Sequence, residues 1–172
     1  EKVIYMNTFS KSLTPTIRIS YMILPVHLAN QFYRQLSFYS CTVSNFEQYT
    51  LAAFINQGYF EKHINRMRLF YSRQRKKLIE AIEHSSLKEK CRIIENDSGL
   101  HFLLHLQTEL SDQCLSEQLK QQGIKMLPLS EYFLTAENSR EHYFIINYSC
   151  VDLEKIPAAC ERIHQLLSEK NA

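Results

Sequence analysis

The stretch TFSKSLTPTIRISY, Thr8 to Tyr21, sets a single lysine among hydroxyl side chains, with an arginine seven residues further on. Apolar, β-prone runs flank it, VIYMNTFS before and RISYMILP after, so two strands joined by a turn at Thr14 and Pro15 are predicted. A lysine at a strand end beside Thr8, Ser10 and Arg18 suits a phosphorylated carbonyl compound. The amine can bond the carbonyl carbon, while guanidinium and hydroxyls hold phosphate. A solvated loop lysine satisfies the same spacing, and the stretch by itself leaves both readings open.

Working outward, apolar Leu28, Phe32, Leu36 and Tyr39 recur at threes and fours, which predicts a helix from His27 to Ser40. Ser44 and Glu47 have capping-box spacing and Gly58 stands where a helix stops, so Asn45 to Gln57 is a second helix. A longer one is expected from about Phe60 to His84, with Phe60, Ile64, Met67, Tyr71, Leu78 and Ile82 as its apolar stripe. Its interleaved Arg66, Arg68, Arg73, Arg75, Lys76 and Lys77 occupy several faces, as on a solvated helix rather than a phosphate-tracking patch.

RII and GLHFLLHLQ then read as strands, with Leu100, Phe102, Leu104 and Leu106 on one face and His101, Leu103 and His105 on the other. A helix from Ser111 to Gln122 ended by Gly123, short strands IKMLP and HYFIINYS, and a last helix carrying Ile156, Ile163, Leu166 and Leu167 complete the pattern. Pro157 unsettles that helix's first turn. The part from His27 onward is thus a helix-rich α+β layer. Two strands alone are marginal in water, so the opening pair is expected to belong to something larger.

The chain has 172 residues, 45% hydrophobic and 22% charged, with a formal net charge of +2. That composition is globular, and the charge is too small to imply nucleic acid or an anionic membrane as the partner of this segment. No apolar run reaches the 18–20 residues of a membrane helix, and EKVIYMNTF lacks the features of a signal peptide. Five scattered cysteines without a CxxC pair argue against a disulfide framework and a zinc site, and point to reduced cytoplasm. His101 and His105 lie on a strand without a carboxylate pair, so no metal site is expected.

TFSKSLTPTIRISYMILP resembles the cofactor-lysine segment of fold-type I pyridoxal-phosphate enzymes, Lys11 matching the lysine that bonds the cofactor aldehyde and Arg18 the arginine on its phosphate. QYTLAAFINQGYFEKHINRMRLFYSRQRKKL is similar to the segment of MocR/GabR-type regulators that ends in HIxRMRxxYxxRR. SGLHFLLHL, Ser98 to Leu106, resembles their GLHxxxxL strand, and IKMLPLSEYF resembles the strand and loop before the terminal helix. In order, these cover nearly the whole chain.

The resemblance implies a GntR-type transcriptional regulator: an upstream winged-helix DNA-binding domain, and an aminotransferase-like domain that binds pyridoxal phosphate and senses an amino compound, as a head-to-tail homodimer. Residues 1–26 would be the last strands of the large cofactor domain and 27–172 the helix-rich carboxyl-terminal small domain. Lys11 would be the catalytic lysine, with Arg18, Ser10 and Thr8 on the phosphate. His101 would face the cofactor cleft.

Aminotransferases of this type generally carry a substrate-carboxylate arginine in the strand before the final helix. Ile145 stands there instead, and Arg140 is the nearest basic substitute. The glycine-rich phosphate loop, the ring-stacking aromatic, the aspartate at the pyridinium nitrogen and the tyrosine at the ring hydroxyl lie upstream in the family. This chain alone is therefore expected to hold cofactor poorly and to lack transaminase activity. An ordinary class I/II aminotransferase, and a cofactor-free dimerising module, are the rival readings.

Overall fold

Residues 2–94, 99–134 and 140–169 are described by the structure, a computed structural model. Their contacts gather in two units, Glu1–Arg68 and Leu69–Ala172.

In the first unit Tyr5–Thr8 (β1) and Ser20–Ile23 (β2) form an antiparallel pair in which Thr8 faces Ser20 and Asn7 faces Tyr21. The predicted plain turn contains a single helical turn, Phe9–Ser12 (α1). Thr8 causes it: its Oγ1 caps the Ser10 N–H at 3.2 Å, and the Leu13 N–H closes the turn on the Phe9 carbonyl at 2.8 Å. Val26–Leu36 (α2) stops four residues earlier than predicted, because the Tyr39 N–H turns back to the Leu36 carbonyl in a three-residue turn. Asn45–Asn56 (α3) starts with the expected capping box, Ser44 Oγ accepting from the Glu47 N–H and the Glu47 carboxylate from the Ser44 N–H. Gly58, at φ +75°, supplies the left-handed residue that ends it.

Tyr59–Glu83 (α4) runs as expected, yet of its predicted stripe only Leu78 and Ile82 are buried, while Phe60, Ile64, Met67 and Tyr71 are half-buried. Among the described residues of the first unit, Pro25 alone is buried.

The second unit holds the core. Cys91–Ile94 (β3), His101–Leu106 (β4), Leu127–Pro128 (β5) and Tyr143–Asn147 (β6) make an antiparallel sheet in the order β3-β4-β6-β5. Its alternation matches the sequence from His101 on: Phe102, Leu104 and Leu106 are buried, while His101 is exposed and Leu103 and His105 half-exposed; Leu100, expected on the buried face, lies before the strand and is exposed. The predicted IKMLP strand shrinks to two residues at the sheet edge, where a proline without an N–H is tolerated. Asp112–Gln121 (α5) and Ile156–Glu169 (α6) contribute Leu115, Leu119, Ile163, Leu166 and Leu167 to the core.

Pro157 is accommodated in the first turn of α6, where its missing N–H costs nothing. Gly123, φ +79°, closes α5: its N–H bonds the Lys120 carbonyl at 3.0 Å, and the Ile124 N–H bonds that of Leu119 at 2.8 Å.

Candidate functional site

The β1–α1–β2 hairpin sets the sequence-predicted lysine and arginine on one connection. Three bonds hold its neck: the Phe9 N–H to the Ile19 carbonyl at 2.9 Å, the Thr8 hydroxyl to the same carbonyl at 3.2 Å, and the Ser10 hydroxyl to the Ile17 carbonyl at 2.6 Å. The two hydroxyls expected on phosphate thus spend their protons on the backbone beside Arg18. They fix the turn that presents Lys11 and Arg18.

Lys11 and Arg18 are exposed, and neither side chain has a hydrogen bond or ion pair to another described residue. One hairpin therefore offers an ammonium and a guanidinium with their donors uncommitted, the donor chemistry that a phosphorylated aldehyde requires. The residues present fit the phosphate and aldehyde ends of pyridoxal phosphate.

Beside the hairpin, Asn7 Nδ2 donates to the Tyr5 hydroxyl at 2.9 Å, and the hydrogen bond with Tyr5 followed by desolvation pushes the Tyr21 phenol above its ordinary range. On α1, Phe9 packs edge-on to Phe60 with ring centroids 5.8 Å apart.

His101 and Arg140 belong to the second unit. His101 is exposed on β4 opposite Asn147, and Arg140 is exposed shortly before β6. Ser98, which opens the GLH motif, lies outside the described residues. Ile145 pairs with Leu103 and Leu127 across the sheet face that also carries His101 and His105. Among the described residues no group of three histidines, cysteines or carboxylates could hold a metal ion, and no helix is long and apolar enough to cross a membrane.

The sequence reading missed the buried Asp112. Its Oδ1 accepts the His142 N–H at 2.7 Å, and its Oδ2 accepts the Ser130 hydroxyl. The His142 ring nitrogen Nδ1 stands 3.8 Å from the same carboxylate, and His142 adopts φ +66°, a strained value for a residue with a Cβ. The helix start at Ser111 was legible, but nothing local announced partners 18 and 30 residues away. The Cys91 thiol is pushed up to about 11 by burial and by the neighbouring Cys160, whose own thiol is raised by burial.

The family described as aminotransferase class I and II matches residues 1–163. The HTH-type transcriptional regulator YdeL of Bacillus subtilis is 46% identical over 129 residues, covering 75% of this chain and 28% of its own length. The probable rhizopine catabolism regulatory protein MocR of Rhizobium meliloti is 34% identical over 151 residues, covering 88% of this chain and 30% of its own. Among solved structures, the kynurenine aminotransferase of Pyrococcus horikoshii, in complex with PMP, superposes with a TM-score of 0.79 at 26% identity, over 98% of this chain and 41% of that one. This chain thus spans about a third of the regulators' length. With the family match running from its first residue to the middle of α6, the chain belongs to the class I and II aminotransferase family.

Proposed function

We propose that this chain is the carboxyl-terminal part of a pyridoxal-phosphate-binding, aminotransferase-like effector domain in a MocR/GabR-type transcriptional regulator, and that the intact protein senses an amino compound. The observation that carries the reading is the hairpin with Lys11 and Arg18 uncommitted. The higher identity to HTH-type regulators than to the solved aminotransferase supports the regulator over the enzyme.

In this reading residues 1–26 complete a large cofactor domain and 27–172 form the small domain of a cytoplasmic homodimer, with DNA bound by an upstream winged helix. Bound pyridoxal phosphate supplies an aldehyde that reacts with amines and a ring that withdraws electrons. Lys11 Nζ would hold the aldehyde end of the cofactor, the end that the ligand's amine also seeks. Arg18 would hold the phosphate by charge-assisted hydrogen bonds, while Thr8 and Ser10 hold the turn that presents both residues. His101 and Arg140 are secondary candidates for the ligand. Ile145 offers a carboxylate no charge, so a ligand without an α-carboxylate fits this strand best.

The ligand acts on DNA binding only if it binds one arrangement of the intact protein better than another. The test is the operator affinity of the intact, cofactor-loaded protein across a panel of amines. Affinity that shifts with one amine, without keto-acid turnover, is the expected result. Steady transamination with no DNA binding would select the aminotransferase.

A further inference from the structure

In the first unit an apolar hollow of about 270 Å³ lies between the hairpin connection and α3. Leu13, Ile17 and Ile19 wall it from the connection, and Phe46, Leu51 and Phe54 from the helix. Neither Lys11 nor Arg18 lines it.

We infer that this hollow is a small-molecule site in its own right, and that it takes a protonated amine with a compact aromatic or branched hydrocarbon body. Its size sets the body, and the polar atoms around it set the charge.

A cavity of about 150 Å³ lined by leucine, isoleucine and phenylalanine takes up benzene. About 270 Å³ with the same kind of lining therefore holds one ring with a short tail, and is too small for a docked helix some 10 Å across.

Two polar side chains border the hollow, Glu47 and Thr50. The Thr50 hydroxyl donates to the Phe46 carbonyl at 2.7 Å, and Glu47 Oε2 takes the Ser44 N–H at 3.3 Å and the Ser44 hydroxyl at 2.8 Å. Glu47 Oε1 accepts from no described residue. An anionic acceptor thus stands open beside an apolar hollow, which suits an ammonium and repels a carboxylate. Glu47 is exposed, so the ammonium keeps part of its hydration while the hydrocarbon leaves water.

Occupancy of the hollow acts on the hairpin. Ile17 and Ile19 line it, and their carbonyls accept the Ser10 hydroxyl at 2.6 Å, the Phe9 N–H at 2.9 Å and the Thr8 hydroxyl at 3.2 Å. A ligand packed on these two residues braces the connection that presents Lys11 and Arg18. That consequence rests on the proposed function, while the site itself does not.

The probe for the test is N,N-dimethyl-2-phenylethylamine, a tertiary amine that cannot condense with an aldehyde. It is titrated by calorimetry into the intact protein without pyridoxal phosphate, beside neutral 2-phenylethanol and anionic phenylacetate. One saturable site is expected for the amine, with phenylacetate bound about tenfold more weakly. Glu47→Gln keeps a capping-box side chain and removes the charge, so it should weaken the amine about fivefold, the upper end for an exposed ion pair, and leave 2-phenylethanol unaffected. Leu51→Trp fills the hollow and should abolish binding of both. With the amine bound, exchange of the Phe9 amide should slow while that of Phe102–Leu106 stays constant.

No saturable binding, equal affinity of wild type and Glu47→Gln for the amine, or a Leu51→Trp protein that still binds would overturn the inference. Cofactor held on Lys11 in a protein without the amine site would sink this inference alone. An amine site in a protein that takes up no cofactor would sink the reading of Lys11 and leave the hollow standing.

Discussion

Replacing Asp112 by alanine removes the acceptor for two donors at once. The carboxylate is buried, and it takes the His142 N–H at 2.7 Å and the Ser130 hydroxyl. Hydrogen bonds to a charged group contribute about 1.5–3 kcal/mol each, and a buried donor left bare bears its desolvation cost besides. The Ser130 hydroxyl can rotate towards solvent, but the His142 N–H cannot, because the following strand fixes its backbone. The loss is therefore about 3 kcal/mol, near the lower end of the two-bond sum.

Asp112→Asn keeps one acceptor oxygen and should cost about half as much. For a unit of roughly 100 residues, about 3 kcal/mol lowers Tm by more than 10 °C. Urea unfolding followed by far-UV circular dichroism reads both variants at constant m. An Asp112→Ala change below about 0.5 kcal/mol, or an asparagine variant as damaged as the alanine one, would refute the reasoning.

Other expectations follow from burial. In the 172-residue chain, amides of Tyr5–Thr8 and Ser20–Ile23 should exchange orders of magnitude faster than those of Phe102–Leu106, because among the described residues of the first unit only Pro25 is buried; equal protection would show a first unit stable by itself. Leu115→Ala, at a position with no exposure, should cost about 2–5 kcal/mol in the same urea assay, and a cost below 1 would place Leu115 outside the core. The Cys91 thiol is raised in the fold, so its stabilising effect is full below the unfolded value and fades as pH climbs from about 9 towards 11. Cys91→Ala should flatten the alkaline limb of the stability curve, and an unchanged limb would remove Cys91 as its cause.

The second unit was the more legible in sequence because its instructions are local. The alternation from His101 to Leu106 names its buried face, and Ser111 with Gly123 brackets α5. The first unit reads less well because helical spacing there does not translate into burial: Phe60, Ile64 and Met67 have helical spacing yet stay half-exposed. Lys11 and Arg18 were singled out by the resemblance of TFSKSLTPTIRISYMILP to a cofactor-lysine segment, since their spacing alone fits a solvated loop as well. The work done by Thr8 and Ser10 was not legible, since hydroxyl spacing does not say whether a proton goes to a ligand or to a carbonyl across the turn. Asp112 was invisible for a related reason, as both its partners are distant in sequence and one of them is a backbone N–H.

The account turns on Lys11 as the residue that carries the cofactor. The most direct measurement incubates the intact protein with pyridoxal phosphate, reduces it with borohydride and maps the modified peptide by mass spectrometry. The account predicts one phosphopyridoxyl group, on Lys11, whose yield falls sharply when Arg18 is changed to Ala. A label spread over surface lysines, or a singly labelled lysine other than Lys11, would contradict it.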